Sequence, residues 1–259
     1  MTTKQIDFSK HSSIRLGPVM DVSLIQNETD AANFDGLIIG KACNMIVTGK
    51  NKNIAVLGDE FDYIRLEGGK LYVGAATVGG RVFSFAKKNN LAGFEFIGGL
   101  PGSIGGMLAM NAGLKTEEIF NRLIAVKFAN GYKQKNEIAH GYRFANLGGI
   151  ALEAVFEAKE GYNEELFETL KNARKNQPHE PSAGSCFKNP SGDFAGRLIE
   201  EAGLKGHRIG DMAFSEVHAN FLVNLGNGKV EDALELIELA QKEVLKKSKV
   251  KLELEVKIV

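Results

Sequence analysis

Residues 184–190 read Gly184-Ser185-Cys186-Phe187-Lys188-Asn189-Pro190. A hydroxyl, an ammonium and an amide lie between a permissive glycine and a rigid proline, around one aromatic. Packing alone does not call for three different hydrogen-bonding side chains in so short a stretch. Such a segment can present Ser185 and Asn189 to a polar ligand while Phe187 anchors it in the core. The stretch marks a site and leaves the reaction open. A loop serine that only bonds its own backbone is an equal reading of Ser185. Cys186 sets a thiol beside that hydroxyl, but no neighbouring group in the sequence lowers its pKa.

Residues 98–113, from Gly98-Gly99-Leu100-Pro101-Gly102-Ser103 through Gly105-Gly106 to Asn111-Ala112-Gly113, hold six glycines. Glycine lets backbone N–H groups approach a ligand with no Cβ between, and successive N–H groups form anion-binding nests. A flexible linker is excluded, since Ile104, Met107, Leu108 and Met110 would be left in water. Close backbone packing without any ligand stands as the second reading. Gly40-Lys41-Ala42-Cys43-Asn44 is another candidate cradle, with a plain hairpin turn as its alternative. Neither run is a Gly-x-Gly-x-x-Gly leading from strand to helix, and neither ends in Gly-Lys-Ser/Thr. A dinucleotide bound here would sit on another scaffold.

Two charged residues are candidates of a weaker kind. Arg143 lies among aromatics in Gly141-Tyr142-Arg143-Phe144, where a solvated or packing arginine is the ordinary reading. Glu255 falls on the polar face of a terminal strand, where acids mostly solubilise an edge. The five histidines show no metal-ligand spacing, so no metal is expected, and His218 fits a satisfied core imidazole as well as a ligand contact. The 32 basic and 32 acidic side chains cancel, so no global field favours nucleic acid or an anionic membrane. No stretch reaches the ~18 consecutive apolar residues of a membrane span, and Met1–Asp7 has no apolar signal core. Cys43 and Cys186 are too few for a disulfide framework and lack the paired spacing of a zinc site. These features read as a reduced, soluble, cytoplasmic protein.

The elements that must position these residues follow from hydrophobic periodicity. Apolar runs at 37–39, 45–47, 53–57 and 63–66 predict strands, and Glu67-Gly68-Gly69-Lys70 a tight turn into 71–73. Helical spacing predicts a helix over 78–89 that buries Val82, Phe83 and Ala86. The strand 124–128 is expected to turn at Asn130-Gly131 in type I′ geometry. Residues 150–158 alternate as a half-buried strand, and Asn163 caps a helix carrying Leu166, Phe167, Leu170 and Ala173. Asp193 opens a helix with Phe194, Leu198 and Ile199 inward, and 220–223 is a strand. A helix over 230–247 buries Leu234, Ile237 and Val244, with acids first and lysines last to suit its dipole. The chain ends in a period-two strand with Leu252, Leu254, Val256 and Ile258 on one face. The class is α+β with mixed sheets, in subdomains bounded near 57 and 170.

Taken together and in order, these segments resemble the UDP-N-acetylenolpyruvoylglucosamine reductase (MurB) family. The matching stretches are Ser13-Ile14-Arg15-Leu16-Gly17, Gly40 to Val47, Leu100 to Gly113, Gly141-Tyr142-Arg143 and Ala183 to Pro190. Ala202-Gly203-Leu204-Lys205-Gly206, His218-Ala219-Asn220-Phe221 and Leu254-Glu255-Val256 complete the set, which covers nearly the whole chain. The resemblance implies an α+β fold with a two-part FAD-binding region of the vanillyl-alcohol-oxidase type. On that pattern 1–57, with 250–259 returning to the site, forms the first FAD-binding subdomain, 58–170 the second, and 171–249 a substrate-binding subdomain.

It also implies a reaction in which NADPH reduces non-covalently bound FAD, and the enolpyruvyl ether of the UDP-sugar is then reduced to a lactyl ether. Ser185 would be the proton donor, with Arg143 and Glu255 beside the substrate carboxylate. Glu255 helps only if it is protonated or orients another donor, because a free anion would oppose the enolate. The cofactor would meet Gly40, Lys41, Ala42, Cys43, Asn44, Met45, Gly99, Pro101, Gly102, Ser103, Gly105, Gly106, Asn111, Ala112, Arg143 and Ile150. The substrate would meet Arg143, Gln177, Ser185, Lys188, Asn189, His218, Asn220 and Glu255. Small-molecule substrates, no nucleic-acid or membrane partner, and a monomer are expected. The chain departs from the family where Lys41-Ala42-Cys43 stands for the usual Gly-Gly-Ser, and where Pro18 stands for a second glycine. It lacks the insertion that carries the tyrosine loop of the longer subclass. A flavin oxidase or dehydrogenase acting on another small acid or alcohol, and a non-catalytic flavin- or nucleotide-sugar-binding module, are the alternatives.

Overall fold

The computed structural model describes all of residues 1–259 and mixes helices with sheets, as an α+β chain. The chain divides into two compact units: residues 1–4, 22–41 and 53–175 form one, and 5–21, 42–52 and 176–259 the other. The sequence expectation groups the chain otherwise, as 1–57 with 250–259, 58–170 and 171–249. Ile14, Leu16 and Ile46 belong to the same buried core as Leu198, Phe214 and Leu236, so two early segments join the last third of the chain. That partnership is non-local and leaves no trace in local periodicity.

In the first unit a five-stranded antiparallel sheet runs in the order Gly131–Gln134, Leu123–Phe128, Glu153–Glu157, Lys70–Gly74, Ile64–Glu67. Alternation sends Leu71, Val73, Val126, Phe128, Ala154 and Phe156 into the core with Val82 and Ala86 of the helix Gly79–Lys88. Ile104, Met107 and Leu108 of the short helix Ile104–Ala109 join them. The helix Glu164–Asn172 starts as expected, with Asn163 Oδ1 accepting from Leu166 N at 2.9 Å. A separate set of parallel strands pairs Val19–Ile25 with Ile54–Leu57, and that strand with Leu37–Ile38.

One turn differs from expectation. Phe128 pairs with Gly131, so the two-residue loop is Ala129-Asn130 and not Asn130-Gly131. Of these three residues only Gly131 has positive φ, at 110°, so the turn is not type I′. The glycine takes the left-handed position as the first residue of the returning strand.

In the second unit Ser182–Ser185, Phe221–Asn224, Met212–Phe214 and Arg208–Ile209 form an antiparallel sheet. The helix Val230–Ser248 buries Ala233, Leu236, Ile237, Ala240 and Val244, whereas Leu234 is only half-buried. Phe194 is 66% exposed, because the helix begins one residue later at Ala195 and Phe194 lies outside its buried stripe. Leu198 and Ile199 face the core as the spacing predicts. The terminal strand is shorter than its pattern: it spans Lys257–Ile258, parallel to Met45–Ile46, and Ile258 is exposed while Leu252 and Val256 are buried. No helix is long and apolar enough to cross a membrane.

Candidate active site

Ser185 ends the strand Ser182–Ser185, across from Phe221. The next residue, Cys186, donates its N–H to Asn220 O at 2.7 Å, and its carbonyl accepts from Glu255 N at 2.9 Å and Val256 N at 3.2 Å. Phe187 forms an antiparallel bridge with Leu254, and Lys188 N donates to Glu253 O at 2.9 Å. The hydroxyl-bearing and carboxyl-bearing segments, 70 residues apart in sequence, are therefore joined through a single peptide. Phe187, fully buried, anchors that peptide as the sequence suggests. Asn44 is sewn to the same place: its Nδ2 donates to Glu255 O at 3.0 Å, and its carbonyl accepts from Lys257 N at 3.0 Å. Met45 pairs with Lys257.

The other polar residues around this peptide serve defined local partners. Asn189 Oδ1 accepts from Ala195 N at 3.0 Å and so starts the following helix. Lys188 lies 3.7 Å from the Glu253 carboxylate. Asn220 is 3% exposed and spends both ends of its amide on the backbone of Phe187. His218 Nδ1 accepts from Asn220 N at 3.2 Å, and the ring meets Phe221 edge-on. Burial lowers the His218 pKa, so the imidazole is neutral at pH 7. Cys186 is 1% exposed, and burial together with the nearby Glu255 pushes its thiol pKa up. Both effects favour the neutral thiol over the thiolate.

Ala42 and Cys43 enter this unit through Ser13. Ser13 N donates to Ala42 O at 3.4 Å, and Ser13 Oγ donates to Ser182 O at 2.7 Å with Cys43 O at 3.2 Å. Ala42 is buried with φ 48°. A left-handed alanine costs roughly 1–2 kcal/mol relative to the right-handed regions, which accounts for the glycine usual at this point of the loop. Ser13 lies in a stretch that carries the family resemblance but had no role assigned, and Asn224 did not stand out in the sequence. Asn224 donates to the carbonyls of Ile14 and Arg15 and accepts from Gly226 N and Gly228 N. A buried asparagine before a Gly-x-Gly was the available signal.

In the first unit the glycine run divides its labour. Gly105 N donates to Ala75 O at 2.8 Å, Ile104 N to Thr77 O at 2.9 Å, and the Gly99 carbonyl accepts from Arg174. Burial lowers the Arg174 pKa. A Cβ at Gly98 would meet Phe83 and Phe167, and one at Gly113 would overlap the Glu117 carbonyl. These glycines serve close packing, the second of the two readings. Gly102 has φ 118°, Pro101 and Gly106 are exposed, and Ser103 Oγ reaches Gly106 N at 3.4 Å. A Cβ at Gly40 would overlap that same Ser103 Oγ, so the two glycine loops separated in sequence meet here, with Lys41 exposed beside them.

Asn111 is fully buried with φ 44°, and it works on the chain itself. Its Nδ2 donates to Glu118 Oε2 at 2.7 Å and to Gly141 O at 3.1 Å, and its Oδ1 accepts from Phe120 N at 3.4 Å. Gly141 pairs with Phe144 across the loop Tyr142-Arg143. Asn111 thus fixes the base of the hairpin whose tip is Arg143, at φ 55° and half-buried, with its guanidinium 5.3 Å from the Tyr142 ring centroid. Ala112 is buried and pairs its backbone with Met107 and Ile119, and Ile150 packs beside Leu152. Gln177 is half-buried at the start of the second unit's long segment. No group of His, Cys, Asp and Glu side chains is placed to hold a metal ion.

Comparison with known proteins follows this geometry. The family model of the UDP-N-acetylenolpyruvoylglucosamine reductase C-terminal domain matches residues 177–259. The UDP-N-acetylenolpyruvoylglucosamine reductase of Helicobacter hepaticus is 47% identical over 261 residues, covering 100% of this chain and 99% of the relative. That of Campylobacter jejuni is 45% identical, covering 98% and 99%. The crystal structure of UDP-N-acetylenolpyruvylglucosamine reductase (MurB) from Thermus caldophilus superposes with a TM-score of 0.89 at 32% identity, covering 100% of this chain and 99% of that one.

Proposed function

The chain belongs to the UDP-N-acetylenolpyruvoylglucosamine reductase family, and on that premise we propose how its own residues divide the work. It is an oxidoreductase that reduces the enolpyruvyl ether of UDP-N-acetylglucosamine enolpyruvate to the lactyl ether of UDP-N-acetylmuramate, a step in peptidoglycan precursor synthesis. We assign the hydride to a non-covalently held FAD of the vanillyl-alcohol-oxidase binding mode, recharged by NADPH. We place its cradle at Gly40, Lys41, Gly102, Ser103 and Gly106, where the two glycine loops pack together and Lys41 and Gly106 are exposed. Asn111, Ala112 and Ile150 would support that cradle from behind.

When the substrate's terminal carbon gains hydride, charge develops toward the carboxylate as an enolate, and the adjacent carbon must then take a proton. Arg143 supplies a permanent planar cation for that charge. The hairpin held by Asn111 limits how far the guanidinium can wander. Ser185 Oγ delivers the proton. Serine is a weak acid, so the transfer depends on alignment and on a partner that can share the proton. Glu255 is that partner, carrying a proton in the substrate complex. Lys188, with Gln177 and the exposed edge of His218, would face the remainder of the UDP-sugar.

One observation carries this assignment. Glu255 N and Ser185's neighbour Cys186 share a hydrogen bond of 2.9 Å, so the two proton-handling residues are carried by one clamped peptide. The metabolites concerned, a nucleotide sugar and NADPH, place the enzyme in the cytoplasm, and we take the monomer as its working form. The test is anaerobic. NADPH should bleach the yellow holoenzyme, and the enolpyruvyl UDP-sugar should restore its colour where simple acids and alcohols do not. Recolouring by simple acids, or none at all, would refute the proposal.

A further inference from the structure

Asn220 stands just before the strand Phe221–Asn224, at a tight turn where Phe221 N donates to His218 O at 2.9 Å. Its side chain does the work of a neighbouring strand. Oδ1 accepts from Phe187 N at 3.0 Å while Nδ2 donates to Phe187 O at 2.8 Å, and its own carbonyl accepts from Cys186 N at 2.7 Å. On the opposite edge of the same segment, Glu255 N and Val256 N bond Cys186 O, and Lys188 N bonds Glu253 O. The segment Cys186–Lys188 is therefore gripped on both sides. One grip is all backbone, and the other adds the Asn220 side-chain amide at Phe187 to the backbone bond between Cys186 N and Asn220 O. A carboxamide offers one donor and one acceptor with the spacing of a peptide group, which is why it can replace a backbone here. The turn at 218–220 takes the chain's own peptides out of register, and the side chain completes the ladder.

We propose that Asn220 is a positioning residue for transfer to the substrate. Its side chain fixes Phe187, two residues after Ser185, in the segment whose other edge binds the Glu255 backbone through Cys186 O, and so sets the separation of hydroxyl and carboxyl. This rests on the reading that Ser185 and Glu255 handle the proton together. Removing the amide leaves Phe187 N–H and C=O without their partner in a fully buried setting. The peptide then relaxes toward the 253–256 side, and Ser185 shifts relative to Glu255. A displacement of about 1 Å in such a group costs on the order of a hundredfold in rate.

The test compares Asn220→Ala and Asn220→Asp holoenzymes with wild type in the two separated half-reactions. Asn220→Asp keeps the acceptor for Phe187 N and sets a carboxylate oxygen against Phe187 O. In both variants, reoxidation of the reduced enzyme at saturating enolpyruvyl UDP-sugar should fall about ten- to a hundredfold. The dissociation constant of the sugar and the rate of reduction by NADPH should stay within about threefold. A raised dissociation constant with the saturating rate unchanged would overturn the proposal in favour of direct substrate contact. Equal loss in both half-reactions, or failure of both variants to fold, would overturn it in favour of a purely structural role. Failure of wild type itself to be reoxidised would instead sink the functional reading on which the proposal rests.

Discussion

Arg143 stands at the tip of a two-residue hairpin loop at φ 55°, its base tied to the unit by buried Asn111 at Gly141 and by the stacking of His140 on Phe120. Ser185 ends a strand whose next residue gives one backbone hydrogen bond and receives two, with a side-chain amide bracing the residue after that. The difference matches the roles proposed for the two groups. A guanidinium stabilises charge through a field that falls only inversely with distance, so a few tenths of an ångström change little. A hydroxyl passing a proton works only within hydrogen-bond reach and alignment. The chain spends more backbone on the hydroxyl than on the cation.

Removing each group tests that contrast. The largest effect is expected from Ser185→Ala: reoxidation by substrate should fall on the order of 10²–10⁴-fold, with reduction by NADPH intact. Equal loss in both half-reactions would mean that the strand end, not the hydroxyl, is what matters. Loosening the cation comes next. Asn111→Ala leaves Glu118 and the Gly141 carbonyl without their shared donor, which should cost about 1–3 kcal/mol of unfolding free energy in denaturant titration. If field strength tolerates displacement, reoxidation in this variant should fall far less than in Ser185→Ala, and a comparable fall would erase the contrast.

The smallest effect concerns pH. Burial lowers the His218 pKa in the folded protein, so the unfolded chain takes up that proton first on acidification. The corresponding stability is complete above the unfolded value of about 6.5 and is lost as pH falls below it. Wild-type Tm should therefore drop more steeply than that of His218→Gln on going from neutral pH into mild acid. Parallel curves would show that the imidazole is not held neutral by its packing.

Legibility followed the range of the interactions involved. The cap at Asn163, the stripe of Val82 and Ala86 and the buried anchor Phe187 depend on residues within a turn or a strand, and the sequence displays them. Phe194 and the Asn130-Gly131 turn were misread over the same short range, because a one-residue change in helix start or hairpin register reverses which side chain faces inward. The glycine run admitted two readings, and Gly98, Gly105 and Gly113 follow the packing one, while Gly106 is exposed and is left to the proposed cradle.

Composition and periodicity were enough to determine the class of fold and the residue types available for chemistry, since these are carried by local spacing and by what each side chain can donate or accept; the family was legible only through the resemblance of the ordered motifs. Which residues share a unit was decided only in three dimensions. The joining of residues 42–52 to the last third of the chain, the peptide shared by Ser185 and Glu255, and the use of Asn111 and Asn220 as struts all arise from pairings between distant segments. A buried asparagine looks the same in sequence whether it faces a ligand or a peptide. Its partner is chosen by the packing that removes both from water.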